Sequence, residues 1–182
     1  RVIIGILAWL TPILAIIIKL ESKGSVFFVQ KRNGLNYHEF DCYKFRSMNL
    51  NPKAHIEQVS KNDPRITRVG RFLRKTSIDE LPQFINVFLG QMSVVGPRPH
   101  MVSHTEMYAQ RVNKFMVRHF VKPGITGLAQ TKGYRGEVEK ETDIINRVKY
   151  DIFYMENWSI LLDIKIIFMT IFNTVKGEDK AY

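Results

Sequence analysis

Hydrophobic positions along the 182-residue chain change their period several times, and each change marks an element. From Val2 to Ile18, "VIIGILAWLTPILAIII", no residue is charged, and Arg1 and Lys19 flank the run. As a helix rising about 1.5 Å per residue it is roughly 25 Å long, short of a hydrocarbon core of about 30 Å. Pro12 sits mid-run. Its ring and missing amide predict a kink near Ala8–Thr11, where the Thr11 hydroxyl can bond a freed backbone group. A buried core helix is one reading. A kinked helix over 1–20 that enters and leaves a membrane by the same face fits the length and the proline better. A signal peptide is a poor reading, because there is no small-residue cleavage site and the run passes directly into "KLESKGSVFF".

After Gly24 the pattern turns β-like. "SVFFVQKR" (25–32) is β-branched and aromatic, Asn33-Gly34 is a hairpin signal, and "YHEFDCYKFRSM" (37–48) supplies a return strand. Residues 49–64 are polar, hold Pro52 and Pro64, and read as an exposed loop with one helical turn. "RITRVGRFLRKT" (65–76) is a short basic helix or turn. Leu81, Phe84, Ile85 and Phe88 then repeat at helical spacing, with Gly90 as the stop. "MSVVGPRP" (92–99) reads as a short strand and a proline-stiffened loop. A long helix is expected over much of 100–119, and 122–136 is glycine-rich and irregular. Two helices close the chain, at about 138–157 and 159–175. The last is mostly apolar, with Asp163 and Lys165 near its start, and either buries against the core or lies on a membrane surface. These elements make one mixed α/β domain over 1–182: a compact helical body with a small β-hairpin.

Charge then narrows the function. Lys+Arg 27 against Asp+Glu 17 leaves a net +10, which favours anionic partners: phosphates, nucleic acid or acidic headgroups. The lone Cys42 excludes an internal disulfide and a zinc-type cysteine pair, and suits a reducing compartment. His100 and His104 are four apart, but Met101 stands where the zinc-protease motif needs Glu. Lys19, Lys23, Lys31 and Arg32 flank the apolar run and suit anionic headgroups or plain solvation.

The stretch "RFLRKTSIDELPQ" (71–83) sets Asp79 and Glu80 directly after Arg71, Arg74 and Lys75. Ser77-Ile-Asp-Glu80 matches a capping box, although Pro82 would then fall at the fifth helical position, where it disrupts. Starting the helix at Asp79 puts Pro82 where no intrahelical bond is lost. The other reading is a carboxylate nucleophile. It can attack phosphorus only where cations offset anion repulsion, and Arg74 stands five residues away. Arg98, held between Pro97 and Pro99, is a surface turn or a fixed guanidinium for phosphate. Lys44 and Arg46 alternate on a strand, a pattern that often faces water.

Together these stretches resemble the bacterial sugar transferase family, the monotopic polyprenyl-phosphate phosphoglycosyl transferases. The matching segments are "TPILAIIIKLESKGSVFFVQKRNG" (11–34), "YKFRSM" (43–48), 63–99 from "DPRITRVG" to "VVGPRP", "VKPGITGLAQ" (121–130) and "LLDIKIIF" (161–168), in order over most of the chain. The resemblance implies transfer of a sugar 1-phosphate from a UDP-sugar to undecaprenyl phosphate, at the cytoplasmic face of a bacterial inner membrane. It makes Asp79 the nucleophile, with a covalent phosphosugar intermediate and UMP released, and Glu80 a metal-site or base residue. Mg²⁺ is the implied ion, on Asp79 and Glu80. Lys44, Arg46, Arg74 and Arg98 become phosphate ligands, and Arg135, in a loop with Gly124, Gly127 and Gly133, a nucleotide ligand. Implied partners are the donor, the lipid acceptor and membrane lipids, not nucleic acid. "TKGYRGE" (131–137) is more similar to the larger hexose-1-phosphate transferases, hence glucose or galactose. Family members carry a basic, aromatic segment before the membrane helix; this chain starts inside that helix and reads as part of a longer protein. The rival from another class is a membrane-associated nucleic-acid binder, which accounts for the charge but not for the acidic pair.

Overall fold

A computed structural model describes residues 2–51, 59–60, 63–138 and 140–176. Helix α1 runs Val2–Glu21 and is continuous through Thr11 and Pro12. Leu7, Leu14 and Ile18 lie on one side of it and bury against Phe45 and Leu73. Ile6, Trp9, Ile13, Ile16 and Leu20 lie on the opposite side and are exposed, Trp9 to 83%. The helix is therefore not a buried core element. Among the described residues no helix is long and apolar enough to cross a membrane.

Strands β1 (Phe27–Asn33) and β2 (Glu39–Phe45) form the expected antiparallel hairpin, with Phe27 opposite Phe45 and Asn33 opposite Glu39. Its turn is not where Asn33-Gly34 pointed. Gly34 is extended, its amide donating to the His38 carbonyl at 2.8 Å, and the left-handed positions are Asn36 and Tyr37. Gly34 matters for space: a Cβ there would stand 3.1 Å from the Phe40 ring.

Beyond the hairpin comes α2 (Arg68–Lys75), started by Thr67, whose hydroxyl accepts the Gly70 amide at 2.9 Å. The Glu21 carboxylate accepts the Arg68 and Val69 amides at 2.7 and 3.0 Å, so the end of α1 is fastened to the start of α2. Gly70 lets α2 touch the chain leaving β2: a Cβ there would sit 1.9 Å from the Ser47 carbonyl oxygen. The expected loop 49–64 falls partly at 52–58 and 61–62, outside the described residues.

Helix α3 (Gln83–Phe88) begins later than the capping box suggests, with Pro82 as its N-cap residue, and ends at the left-handed Gly90. Its fully buried positions are the polar Gln83 and Asn86, while Phe84 packs partly against the core under α1. Asn86 donates to the Asp41 carbonyl at 2.7 Å and accepts the Tyr43 amide at 3.2 Å, while Phe88 and Leu89 face outward. Strand β3 (Ser93–Val95) pairs in parallel with β4 (Gly124–Thr126), inside the stretch expected to be irregular. Gly124 and Gly127 are demanded by proximity to Gly96, not by turn geometry.

The long helix expected over 100–119 is two pieces. Helix α4 (Val102–Arg111) ends at extended Val112, left-handed Lys114 turns the chain, and a 3₁₀ segment Phe115–Phe120 follows. The break turns Phe115, Arg118 and His119 into the interior. After the short α5 (Leu128–Thr131), α6 (Glu141–Glu156) packs Ile144 and Val148 onto Tyr108, Val112 and Phe115. Helix α7 (Ile160–Lys176) buries against the core on one side only. Ile166 is buried beside Val95, Leu128 and Tyr154, whereas Leu161, Phe168, Phe172 and Val175 stay exposed.

Candidate active site

The chain between α2 and α3 makes a tight corner. Ser77 adopts a left-handed conformation (φ 58°), and a 3₁₀ turn, Ile78–Glu80, follows. Ser77 makes no capping bond; its hydroxyl instead accepts from Arg135 Nη2 at 2.8 Å. A non-glycine residue held at positive φ costs on the order of 1–3 kcal/mol, so its neighbours must enforce it. The corner turns Asp79 and Glu80 inward, each 6% exposed, onto one wall of a cavity of about 320 Å³.

Among the described residues, seven lysines and arginines line that cavity against three carboxylates: Arg32, Lys44, Arg46, Arg74, Arg98, Arg135 and Arg147 against Asp79, Glu80 and Glu137. Every candidate drawn from the sequence outside α1 therefore meets in one place, from positions 44 to 135. The surplus of positive charge suits a ligand with several phosphate oxygens.

The two carboxylates have different surroundings. Glu80 Oε1 accepts from Lys44 Nζ at 2.7 Å and from Arg98 Nη2; Oε2 accepts from Arg98 Nη1 at 3.3 Å and Arg135 Nη2 at 3.4 Å. Burial alone would raise its pKa, but Arg98, Lys44 and Arg135 outweigh burial and hold it well below the usual carboxylate range. Asp79 accepts no hydrogen bond from the described residues. Burial pushes its pKa up, the neighbouring Glu80 charge adds to this, and Lys44, Arg74 and Arg135 only partly offset it. One acid is thus saturated with cations and the other is left for a ligand.

The remaining candidates divide. Arg74 donates from Nε to Ser47 Oγ at 2.8 Å and feels the Asp79 charge most strongly among its neighbours. Lys44 is buried, which lowers its pKa, and Glu80 opposes that. Arg46 lines the cavity, but both terminal nitrogens are engaged: Nη1 donates to the Lys23 carbonyl at 2.6 Å and Nη2 to Ser22 at 2.8 Å. It clasps the end of α1 instead of presenting a free fork to phosphate. Arg32, grouped by sequence with headgroup-facing bases, is half-buried here and donates to the Pro99 carbonyl and to Gln30 Oε1 at 2.8 Å. Nothing in its sequence surroundings separates it from exposed Lys31, because the alternation of β1 decides the matter. His100 packs edge-on to Tyr108 and Phe115, and burial, with Arg118 and Arg147 adding to it, keeps it neutral.

An acidic corner facing a cationic cavity agrees with what the comparisons show. Residues 1–177 match the family described as Bacterial sugar transferase. The chain belongs to this family. It is 52% identical over 171 residues to a UDP-glucose:undecaprenyl-phosphate glucose-1-phosphate transferase of Klebsiella pneumoniae, covering 92% of this chain and 37% of the relative. It is 46% identical over 162 residues to Exopolysaccharide production protein PSS of Rhizobium leguminosarum bv. phaseoli, covering 86% of this chain and 81% of the relative. It is 42% identical over 197 residues to a UDP-galactose-lipid carrier transferase of Erwinia amylovora, covering 98% of this chain and 39% of the relative. The chain thus spans well under half the length of several curated relatives in this family, the shortest share among these three being 37%.

Proposed function

We propose that this domain transfers a hexose 1-phosphate from a UDP-sugar to undecaprenyl phosphate through a phosphosugar–Asp79 intermediate. The observation that carries the proposal is the contrast at the corner: Glu80 is bound by three cations, and Asp79, on the cavity wall, accepts no hydrogen bond from the described residues. An oxygen of ionised Asp79 attacks the sugar-bearing phosphorus. The bond from that phosphorus to the bridging oxygen breaks, and UMP leaves with the bridging oxygen and its electron pair. An oxygen of the lipid phosphate then attacks the same phosphorus, and Asp79 departs as carboxylate. The bases around the corner offset the charge of both anionic partners and of the transition state.

Glu80 serves here as the ion that orders Lys44, Arg98 and Arg135. Its low pKa makes it a weak base, and its filled oxygens do not suit a metal. Asp79 does fit Mg²⁺ together with donor phosphates, since that ion commonly binds one or two carboxylates plus substrate oxygens. The ion would supply further charge neutralisation on the diphosphate. Glucose is the favoured sugar, because the 52%-identical relative carries that name and the galactose-named relative is 42% identical.

Location follows from the same chemistry. A water-soluble donor and a lipid acceptor meet only at an interface, and the exposed apolar sides of α1 and α7 give the domain a surface to lie in one. The proposed course lays α1 along the cytoplasmic face of a bacterial inner membrane, with its exposed apolar side in the lipid. Purified protein in detergent, given UDP-glucose, Mg²⁺ and undecaprenyl phosphate, is expected to release UMP and form lipid-linked glucose diphosphate. No UMP from any UDP-hexose would sink the reading.

A further inference from the structure

Both arginines on Glu80 come from segments without regular structure. Arg98 lies in the loop after β3, and Arg135 lies between left-handed Gly133 and Gly136. Such segments do not fix a guanidinium by themselves, so something else must hold them. Arg118 Nη2 donates to the Arg98 carbonyl at 2.9 Å and to Asp151 Oδ2 at 2.6 Å, with both side chains 2% exposed. Arg147 Nη2 donates to the Gly136 carbonyl at 3.0 Å. Arg147 and Asp151 are four apart on α6 and share a face, and Ile144 and Val148 anchor that helix in the core.

We propose that Arg147 and Asp151 are positioning residues. Through two backbone carbonyls, with Arg118 as the intermediary for one, helix α6 sets the guanidinium groups of Arg135 and Arg98 on Glu80. The two arms differ in redundancy. The Pro97–Pro99 loop has a second holder, since Arg32 donates to the Pro99 carbonyl. The Gly136 carbonyl has Arg147 as its one recorded donor among the described residues. Arg147 is therefore the sensitive point. Its own place on the cavity wall raises the competing role of direct substrate contact, and the test separates the two.

The inference rests on the proposed transfer reaction for its kinetic arm and on none for its structural arm. In the full chain, Arg147→Met removes the donors at similar length, and Arg147→Lys keeps one. Hydrogen–deuterium exchange without substrate is expected to quicken several-fold in peptides covering 76–82 and 132–137 of Arg147→Met, with 27–45 unchanged, and to return towards the parent in Arg147→Lys. Unchanged exchange at 76–82 in a folded Arg147→Met protein, or no recovery in Arg147→Lys, overturns the positioning role. In the kinetic arm, Arg147→Met should slow UMP release roughly 10- to 100-fold, mainly in kcat, as small misplacements of catalytic groups do. The double variant with Arg135→Ala should then be no more than about threefold slower than Arg135→Ala alone, because residues acting through one another are not additive. Multiplied effects would mean that Arg147 contacts substrate directly, and the inference fails. A parent protein that turns over no UDP-hexose defeats the proposed function, while the exchange arm still decides the positioning.

Discussion

Asp79 and Glu80 are adjacent and equally buried, yet their pKa values are pushed in opposite directions. The difference lies in which cations reach each carboxylate. An attacking carboxylate must be ionised, so the rate should rise with pH through the Asp79 value, which lies above the ordinary aspartate range. Of the charges that lower it, Lys44 acts most strongly. Lys44→Met should therefore move the acid limb of the pH–rate profile to higher pH; a limb that stays or moves lower contradicts the assignment. A second prediction at this scale concerns space. Gly70→Ala drives a Cβ into the Ser47 carbonyl oxygen, and overpacking of this kind costs about 1–3 kcal/mol. Thermal melting should show that loss; an unchanged melting temperature would mean that α2 moves aside freely. That Asp79, Arg74, Arg98 and Arg135 belong together was legible, and the cavity brings them to one place. The places of Arg32, Arg118 and Arg147 were not legible, because an arginine that holds a backbone carbonyl leaves no motif.

Among the elements, α3 shows where reading a pattern stops. The spacing of Leu81, Phe84, Ile85 and Phe88 correctly gives a helix, but the usual inference that the apolar stripe faces the core assumes water outside. Here Gln83 and Asn86 face inward, because Asn86 is committed to the β2 backbone, and Phe88 is 71% exposed. If this outward side meets lipid, Phe88→Glu should weaken co-sedimentation with anionic vesicles about tenfold or more, from the roughly 1.5–3 kcal/mol of burying such a side chain. It should leave the melting temperature in detergent alone. A loss of stability with unchanged vesicle binding would show instead that Phe88 packs against protein. The hairpin and the divided helix after Arg111 teach a related point. Asn33-Gly34 and the helix expected over 100–119 named the right neighbourhoods, but left-handed Asn36, Tyr37 and Lys114 fixed the turns, and a tyrosine or lysine at positive φ carries no sequence signal.

For the whole molecule, charge and apolar surface are sorted in space. A net charge of +10 left phosphate, lipid and nucleic acid open as partners; among the described residues the fold draws seven bases around one acidic corner. It leaves apolar faces of α1 and α7 and the Phe88 end of α3 uncovered, and it ties α1 to the site through Glu21 and Arg46. That arrangement fits a reaction in which a soluble anion and a lipid anion share one nucleophile in turn. The most direct test is the mass of the intact protein after incubation with UDP-glucose and Mg²⁺ in the absence of lipid acceptor, with Asp79→Asn alongside. The parent should gain one phosphohexose and release an equivalent of UMP, the adduct should vanish on adding undecaprenyl phosphate, and Asp79→Asn should gain nothing. Turnover to lipid product by the parent with no adduct at any time, or an adduct that survives in Asp79→Asn, would contradict a covalent intermediate on Asp79.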